Sequence, residues 1–248
     1  MLLGVLAMVS CEKAQPDNQS AEDDARGSYI MADAFAVSNN EAGGGGGKSI
    51  PECMTVVRVT ETNPKSVTIT FDNCDYRGSV RNGTINVTYT VGEVGQRAVN
   101  ATITFENYTF DNVDVEGTIT STFSGTLLLP VIDVVSEDML LTFPDNRTIS
   151  YASDLTFSFV NGLGDGVLAN VVYEVSGTSD GVNRLGESYS SVYSDVRYEG
   201  DCGSGYPVSG TVTINSDKGE SIIDFGNGTC DNIITVTKGG VSITITLN

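Results

Sequence analysis

The chain has 248 residues, with 13 Lys and Arg against 32 Asp and Glu, a net charge of −19, and neither histidine nor tryptophan. Without histidine there is no Ser/His/Asp or Cys/His nucleophile and no His-bearing zinc site. So large a negative charge also argues against nucleic acid, which binds through Lys and Arg set on phosphates. Hydrophobic residues make up 40% of the chain and charged ones 18%, which is enough apolar surface for a folded core.

Residues 1–11 read MLLGVLAMVSC. The apolar run Leu2 to Val9 is too short to cross a bilayer as a helix, which needs about 20 apolar residues. It reads as the end of a secretory h-region followed by its processing site. Met8-Val9-Ser10-Cys11 resembles a bacterial lipobox, with Met8 where leucine is usual. Cys11 is therefore the expected lipidation site, and acyl chains would hold the protein on a membrane at about 0.8 kcal/mol per buried CH₂.

Residues 12–47 hold seven acids and two bases, and end in the five glycines Gly43–Gly47. Ser20 followed by Glu22-Asp23-Asp24 has the form of a helix N-terminus with acids in its first turn. Ile30, Met31, Ala34 and Phe35 then share one helical stripe. A short helix near 21–39 is predicted, weakly docked or loose, with a flexible glycine hinge behind it. The segment reads as an acidic tether that holds the body away from a membrane.

From residue 48 onward the period is two. Val67, Ile69 and Phe71 alternate with Thr68 and Thr70, and Ile85, Val87, Tyr89 and Val91 alternate with Asn86, Thr88 and Thr90. The same pattern runs to Val241-Ile243-Ile245-Leu247. One apolar face and one Thr/Ser/Asn face mark antiparallel strands buried on one side. Between them stand turn pairs such as Asn82-Gly83, Asp111-Asn112, Asp145-Asn146 and Gly239-Gly240. The prediction is a single all-β domain over 48–248, an antiparallel meander of a dozen or more strands. It would form a sandwich or a large curled sheet, and a closed barrel also satisfies the pattern.

If Cys11 carries lipid, an even set of cysteines remains for an exported chain: Cys53, Cys74, Cys202 and Cys230. The stretches Lys65–Cys74 and Glu220–Cys230 echo each other, and each ends one hairpin-length after another cysteine. The expected disulfides are Cys53–Cys74 and Cys202–Cys230, each closing a loop worth about 3 kcal/mol. No C-x₂-C knuckle supports a four-thiolate zinc site.

Further motifs come in order along the body: Thr68-Ile69-Thr70-Phe71-Asp72-Asn73-Cys74, Arg81-Asn82-Gly83-Thr84-Ile85-Asn86-Val87, Thr104-Phe105-Glu106-Asn107-Tyr108, Leu141-Thr142-Phe143-Pro144-Asp145-Asn146-Arg147, and Phe225-Gly226-Asn227-Gly228-Thr229-Cys230. With the lipobox and the acidic segment ahead of them, they make the chain resemble a family of uncharacterised secreted or surface all-β lipoproteins of Bacteroidetes-type bacteria. The resemblance implies an outer-membrane or cell-surface location and the cysteine plan. It implies no catalytic residue and no ligand.

No catalytic residue, metal ligand or cofactor is assigned from the sequence. Asp72-Asn73-Cys74-Asp75 and Asp111–Glu116 are rich in acids but lack calcium-loop spacing, and Asp and Asn favour turns for their own reasons. Of the −19, residues 12–47 hold −5 and the strand-built remainder −14. That acidic surface favours calcium or a basic partner over anionic polymers. Tyr189, Tyr193 and Tyr198, set among serines, form the candidate binding patch, since Tyr/Ser surfaces make adaptable contacts. The expected function is a lipid-anchored, non-enzymatic envelope protein serving as a binding or structural module. The alternatives are an acid-residue carbohydrate hydrolase and a carrier of an apolar envelope component on the concave face of the sheet.

Overall fold

The computed structural model of the protein describes residues 19–42, 50–76, 78–91, 98–126, 129–161, 171–199, 202, 206–231 and 233–246. Cys11, the lipobox and the glycine run lie outside the described residues. Among the described residues one helix, α1 (Gln19–Ala42), precedes thirteen strands. These are β1 (Met54–Val59), β2 (Lys65–Tyr76), β3 (Ser79–Val91), β4 (Ala98–Phe110), β5 (Val113–Gly125), β6 (Pro130–Thr142) and β7 (Thr148–Asn161). They continue with β8 (Val172–Val182), β9 (Ser188–Glu199), β10 (Ser209–Ser216), β11 (Gly219–Asn227), β12 (Ile233–Lys238) and β13 (Val241–Thr246).

Each strand pairs antiparallel with the next in a single 13-stranded sheet whose order is the chain order. Among the described residues β1 and β13 are its free edges. Of the predicted arrangements, the meander forms the curled sheet and not a closed barrel.

A meander sends alternate connections to opposite ends of the sheet. At one end they span two residues (77–78, 111–112, 217–218 and 239–240) or five (143–147 and 183–187). This is the turn end. Asp111 (φ 48°) and Asn112 (φ 62°) both sit left-handed, the geometry whose twist matches a two-residue hairpin. At the other end the connections run from four residues (126–129) and five (60–64 and 228–232) up to ten (162–171); this is the long-connection end.

A series of β-bulges crosses the sheet. The register shifts between Phe71 and Cys74, between Thr104 and Tyr108, between Ser136 and Met139, and between Val175 and Gly177. Asn73, Asn107, Asp138 and Asp195, all at positive φ, accompany these shifts. Short polar side chains tolerate that conformation, and a bulge bends its strand and strengthens the twist. Opposite Asn107 stands Gly83 (φ 84°), where an added Cβ would lie 2.0 Å from the Asn107 carbonyl oxygen. Repeated bulges curl the sheet on purpose rather than leaving it flat.

The apolar face of the curl points inward and buries Val67, Ile85, Ile103, Ile119, Val134 and Leu141 almost completely. The outer face carries cross-strand polar pairs, such as Thr68 to Asn86 and Thr70 with Thr84. The disulfides are Cys53–Cys74, which fastens the start of β1 to β2, and Cys202–Cys230, which joins two connections at the long-connection end. Both expected pairs are present.

The amino-terminal segment departs from the prediction. The helix covers Gln19–Ala42, longer than the expected 21–39, and it is not a loose tether. It lies in the curl against β2, β3, β4, β7, β8, β9 and β10. Ile30, Met31, Ala34 and Val37 are at most 1% exposed. The division into a tether over 12–47 and a body over 48–248 is therefore corrected, because residues 19–42 belong to the core of the body. The physical reason is the curl itself, which leaves a concave apolar face wide enough for one helix.

Candidate functional site

The seat of α1 is the most distinctive arrangement in the molecule. At 24 residues the helix is about 36 Å long, and buried or half-buried acids tie it to the sheet along that length. Near its start, Asp23 receives hydrogen bonds from the Arg184 backbone N–H and from Arg184 Nε, both at 2.7 Å. Asn183 Nδ2 donates to Ser20 Oγ at 3.0 Å. The first turn is thus fixed to the β8–β9 turn, and Ser20, expected as the N-cap, lies inside the helix with its hydroxyl turned to Asn183.

One residue on, Asp24 is 1% exposed. Its two oxygens accept from Ser179 Oγ at 2.5 Å and from the Tyr193 hydroxyl at 2.7 Å. Burial pushes its carboxyl up to about 6, against the pull of those hydroxyls. Tyr193 shifts upward through its own burial and the neighbouring Asp24. Close by, the hydroxyls of Tyr151, Tyr189 and Ser191 are buried with no hydrogen-bond partner. This half of the curl is polar inside.

Halfway along, Asp33 meets Arg81, the largest side chain with no exposure. Arg81 Nη2 donates to both Asp33 oxygens at 2.8 Å, and Nη1 donates to the carbonyls of Ser79 and Tyr76. The guanidinium also lies 4.9 Å from the Phe110 ring centre. Burial works against the Arg81 charge, but the bidentate bond to Asp33 outweighs it and holds the pKa above its ordinary value. At the far end, Glu41 pairs with Arg58 of β1.

Two further features explain the fit. At Gly27 the helix crosses the Tyr151 ring so closely that an added Cβ would lie 2.5 Å from a ring carbon. Near the C-terminal end, Phe35 and Ala42 leave a cavity of about 30 Å³ against Val87, Ile103, Phe123 and Ile132. That is room for about two waters.

The candidate tyrosines are not an exposed patch. Tyr189 and Tyr193 are 4% and 7% exposed and face the helix. Tyr198 stacks on Tyr173 with ring centres 4.9 Å apart. The cause is register: the inward positions Tyr189, Ser191 and Tyr193 give way at the Asp195 bulge to Val196 and then Tyr198. Asp111 serves its turn, its Oδ1 accepting from the Val80 N–H at 2.8 Å. A groove between β11 and β12 is lined by Asp224 and Asp231, which accept from the N–H groups of Gly226 and Ile233 as turn residues do. Among the described residues no three or more Cys, Asp or Glu side chains gather in a metal-holding group.

An all-β body with its own N-terminal helix seated in the concave face, and two disulfides, is the class of protein that fold and site define. The disulfides fit an oxidising, extracytoplasmic compartment, and no described helix is long and apolar enough to cross a membrane. No protein-family model, curated protein or solved structure matches the chain.

Asp24 makes a pH prediction. Its folded pKa, about 6, lies above the ordinary 3.8, so the folded state binds the extra proton between those values. Its contribution to stability is full below pH 4 and is lost as pH rises through 6, by about 3 kcal/mol. Urea unfolding of wild type and Asp24→Asn across pH 4–7 checks this. The difference between the two curves is expected to slope over that window, and parallel curves would contradict it.

Proposed function

We propose that this is an exported, lipid-anchored cell-envelope protein whose all-β body is a non-enzymatic binding or structural module. The observation that carries this reading is the sequence around Cys11, an apolar run closed by a lipobox-like Met8-Val9-Ser10-Cys11 just ahead of a disulfide-bonded body. The same features support an outer-membrane or cell-surface place within the resembling lipoprotein family. The seat of α1 favours a structural role over the two alternatives. The concave face that a carrier of apolar molecules would need is occupied by the helix. The buried adjacent acids Asp23 and Asp24 are held by Arg184, Ser179 and Tyr193 as ties between helix and sheet. Metabolic labelling with an alkyne fatty acid tests the anchor. Wild type is expected to take up label and Cys11→Ala to lose it, and equal labelling of the two would refute the reading.

A further inference from the structure

We infer that the protein sits end-on on a bilayer, with the turn end of the sheet facing the lipid headgroups and the long-connection end facing away. The inference rests on the lipid anchor at Cys11 and follows from where the folded body begins. Had the helix been loose, the leash from Cys11 to the body at Ile50 would contain 38 residues, and the body would have no preferred face. With α1 seated in the curl, the leash is only residues 12–18. Seven residues place Gln19 at most about 29 Å from Cys11 when fully extended. A strand of β3 or β4, at 13 residues, is about 43 Å long. The leash is therefore shorter than the body, and the point where it joins decides which end meets the membrane.

That point is at the turn end. The first helical turn is bonded to the β8–β9 turn through Ser20 to Asn183 and Asp23 to Arg184. Residues 183–187 share their end of the meander with 77–78, 111–112, 143–147, 217–218 and 239–240.

The test uses the full chain purified with its acyl chains and reconstituted into vesicles of phosphatidylethanolamine and phosphatidylglycerol carrying a headgroup acceptor dye. A coumarin amino acid is placed singly at Asn146 or Asp217 on the turn end, and at Glu61 or Leu129 on the other. All four positions are exposed. Energy transfer to the membrane is expected to be several-fold higher from Asn146 and Asp217. Inserting a Gly/Ser segment of about 20 residues between Asn18 and Gln19 lengthens the leash without touching the fold, and it is expected to collapse the difference. Mass spectrometry of the N-terminal peptide separates the two ideas. Acylated Cys11 with equal or reversed transfer overturns the orientation alone, and Cys11 without acyl chains overturns the anchor and the orientation together.

Discussion

Asp33→Ala is expected to destabilise the folded protein by about 3–5 kcal/mol, the cost of leaving one member of a buried ion pair without its partner. Arg81 is 0% exposed. In the variant its guanidinium would keep only the carbonyls of Ser79 and Tyr76 and the neighbouring aromatic rings. It can neither reach water nor shed its proton, because an arginine stays charged at any working pH. The loss comes from a stranded charge, so removing both charges tests the cause. Asp33→Leu with Arg81→Met replaces the pair by apolar groups of similar volume, a change that is often near neutral. Urea midpoints are expected to rank wild type and the double variant together, well above Asp33→Ala. A double variant less stable than Asp33→Ala would show that Arg81 contributes mainly by filling space.

Gly27→Val is expected to cost about 3 kcal/mol, and Gly27→Ala about 1–3 kcal/mol, through overpacking. The sign of the alanine variant is the informative part. Within an ordinary exposed helix, glycine to alanine gains about 1 kcal/mol. Here the new Cβ would stand 2.5, 2.7 and 3.1 Å from three carbons of the Tyr151 ring. Tyr151 is itself 2% exposed and has no room to swing away. The helix must lift, and lifting it withdraws Asp24 from Ser179 and Tyr193 and Asp33 from Arg81. Thermal unfolding checks the sign, with Ala34→Gly, which removes a contact from the same buried stripe, as the reference for a destabilised variant. Both variants are expected to be destabilised. A stabilised Gly27→Ala would mean that the helix is not pressed against the sheet.

Much of the sheet was legible from alternation. Inward residues such as Val67, Ile69 and Phe71 announce themselves by period two, and hairpin pairs such as Asp111-Asn112 announce the turns between. The two disulfides were legible for a local reason, since each joins neighbouring parts of the meander. The bulges were harder to read. Each shifts the inward parity by one, so that Tyr193 is followed by Val196 and Tyr198, and Phe71 by Cys74. A strict alternation count mislabels everything beyond such a point, as at Tyr198, whereas Tyr189 and Tyr193 lie before the bulge and read as a surface because serines surround them.

The seat of the helix was not legible from hydrophobicity. Its buried stripe runs Ser20, Ala21, Asp23, Asp24, Gly27, Ile30, Met31, Ala34, Val37, Ser38, Glu41. That is a continuous helical face with acids at both ends and a glycine within it. Counted by polarity the stripe stops at Ile30, leaving Asp23, Asp24 and Glu41 to read as solvated charge. The signal was the spacing of the acids on the apolar stripe together with Gly27 inside a helix, where glycine is costly unless something comes close. The arginines that Asp33, Asp23 and Glu41 pair with, Arg81, Arg184 and Arg58, stand on β3, the β8–β9 turn and β1, and only the curl of the sheet brings them to the helix.

Hydrogen exchange on the full chain tests most directly whether α1 is part of the folded body. A docked helix opens only with the body, whereas a loosely attached one exchanges through its own cheap local unfolding. The amides of Ile30 to Val37 are expected to exchange as slowly as those of Ile103 and Val134 in the middle of the sheet, and to slow and quicken with them as urea is varied. Exchange of the helix amides orders of magnitude faster than the sheet, and insensitive to urea, would contradict the seat and leave the segment a tether.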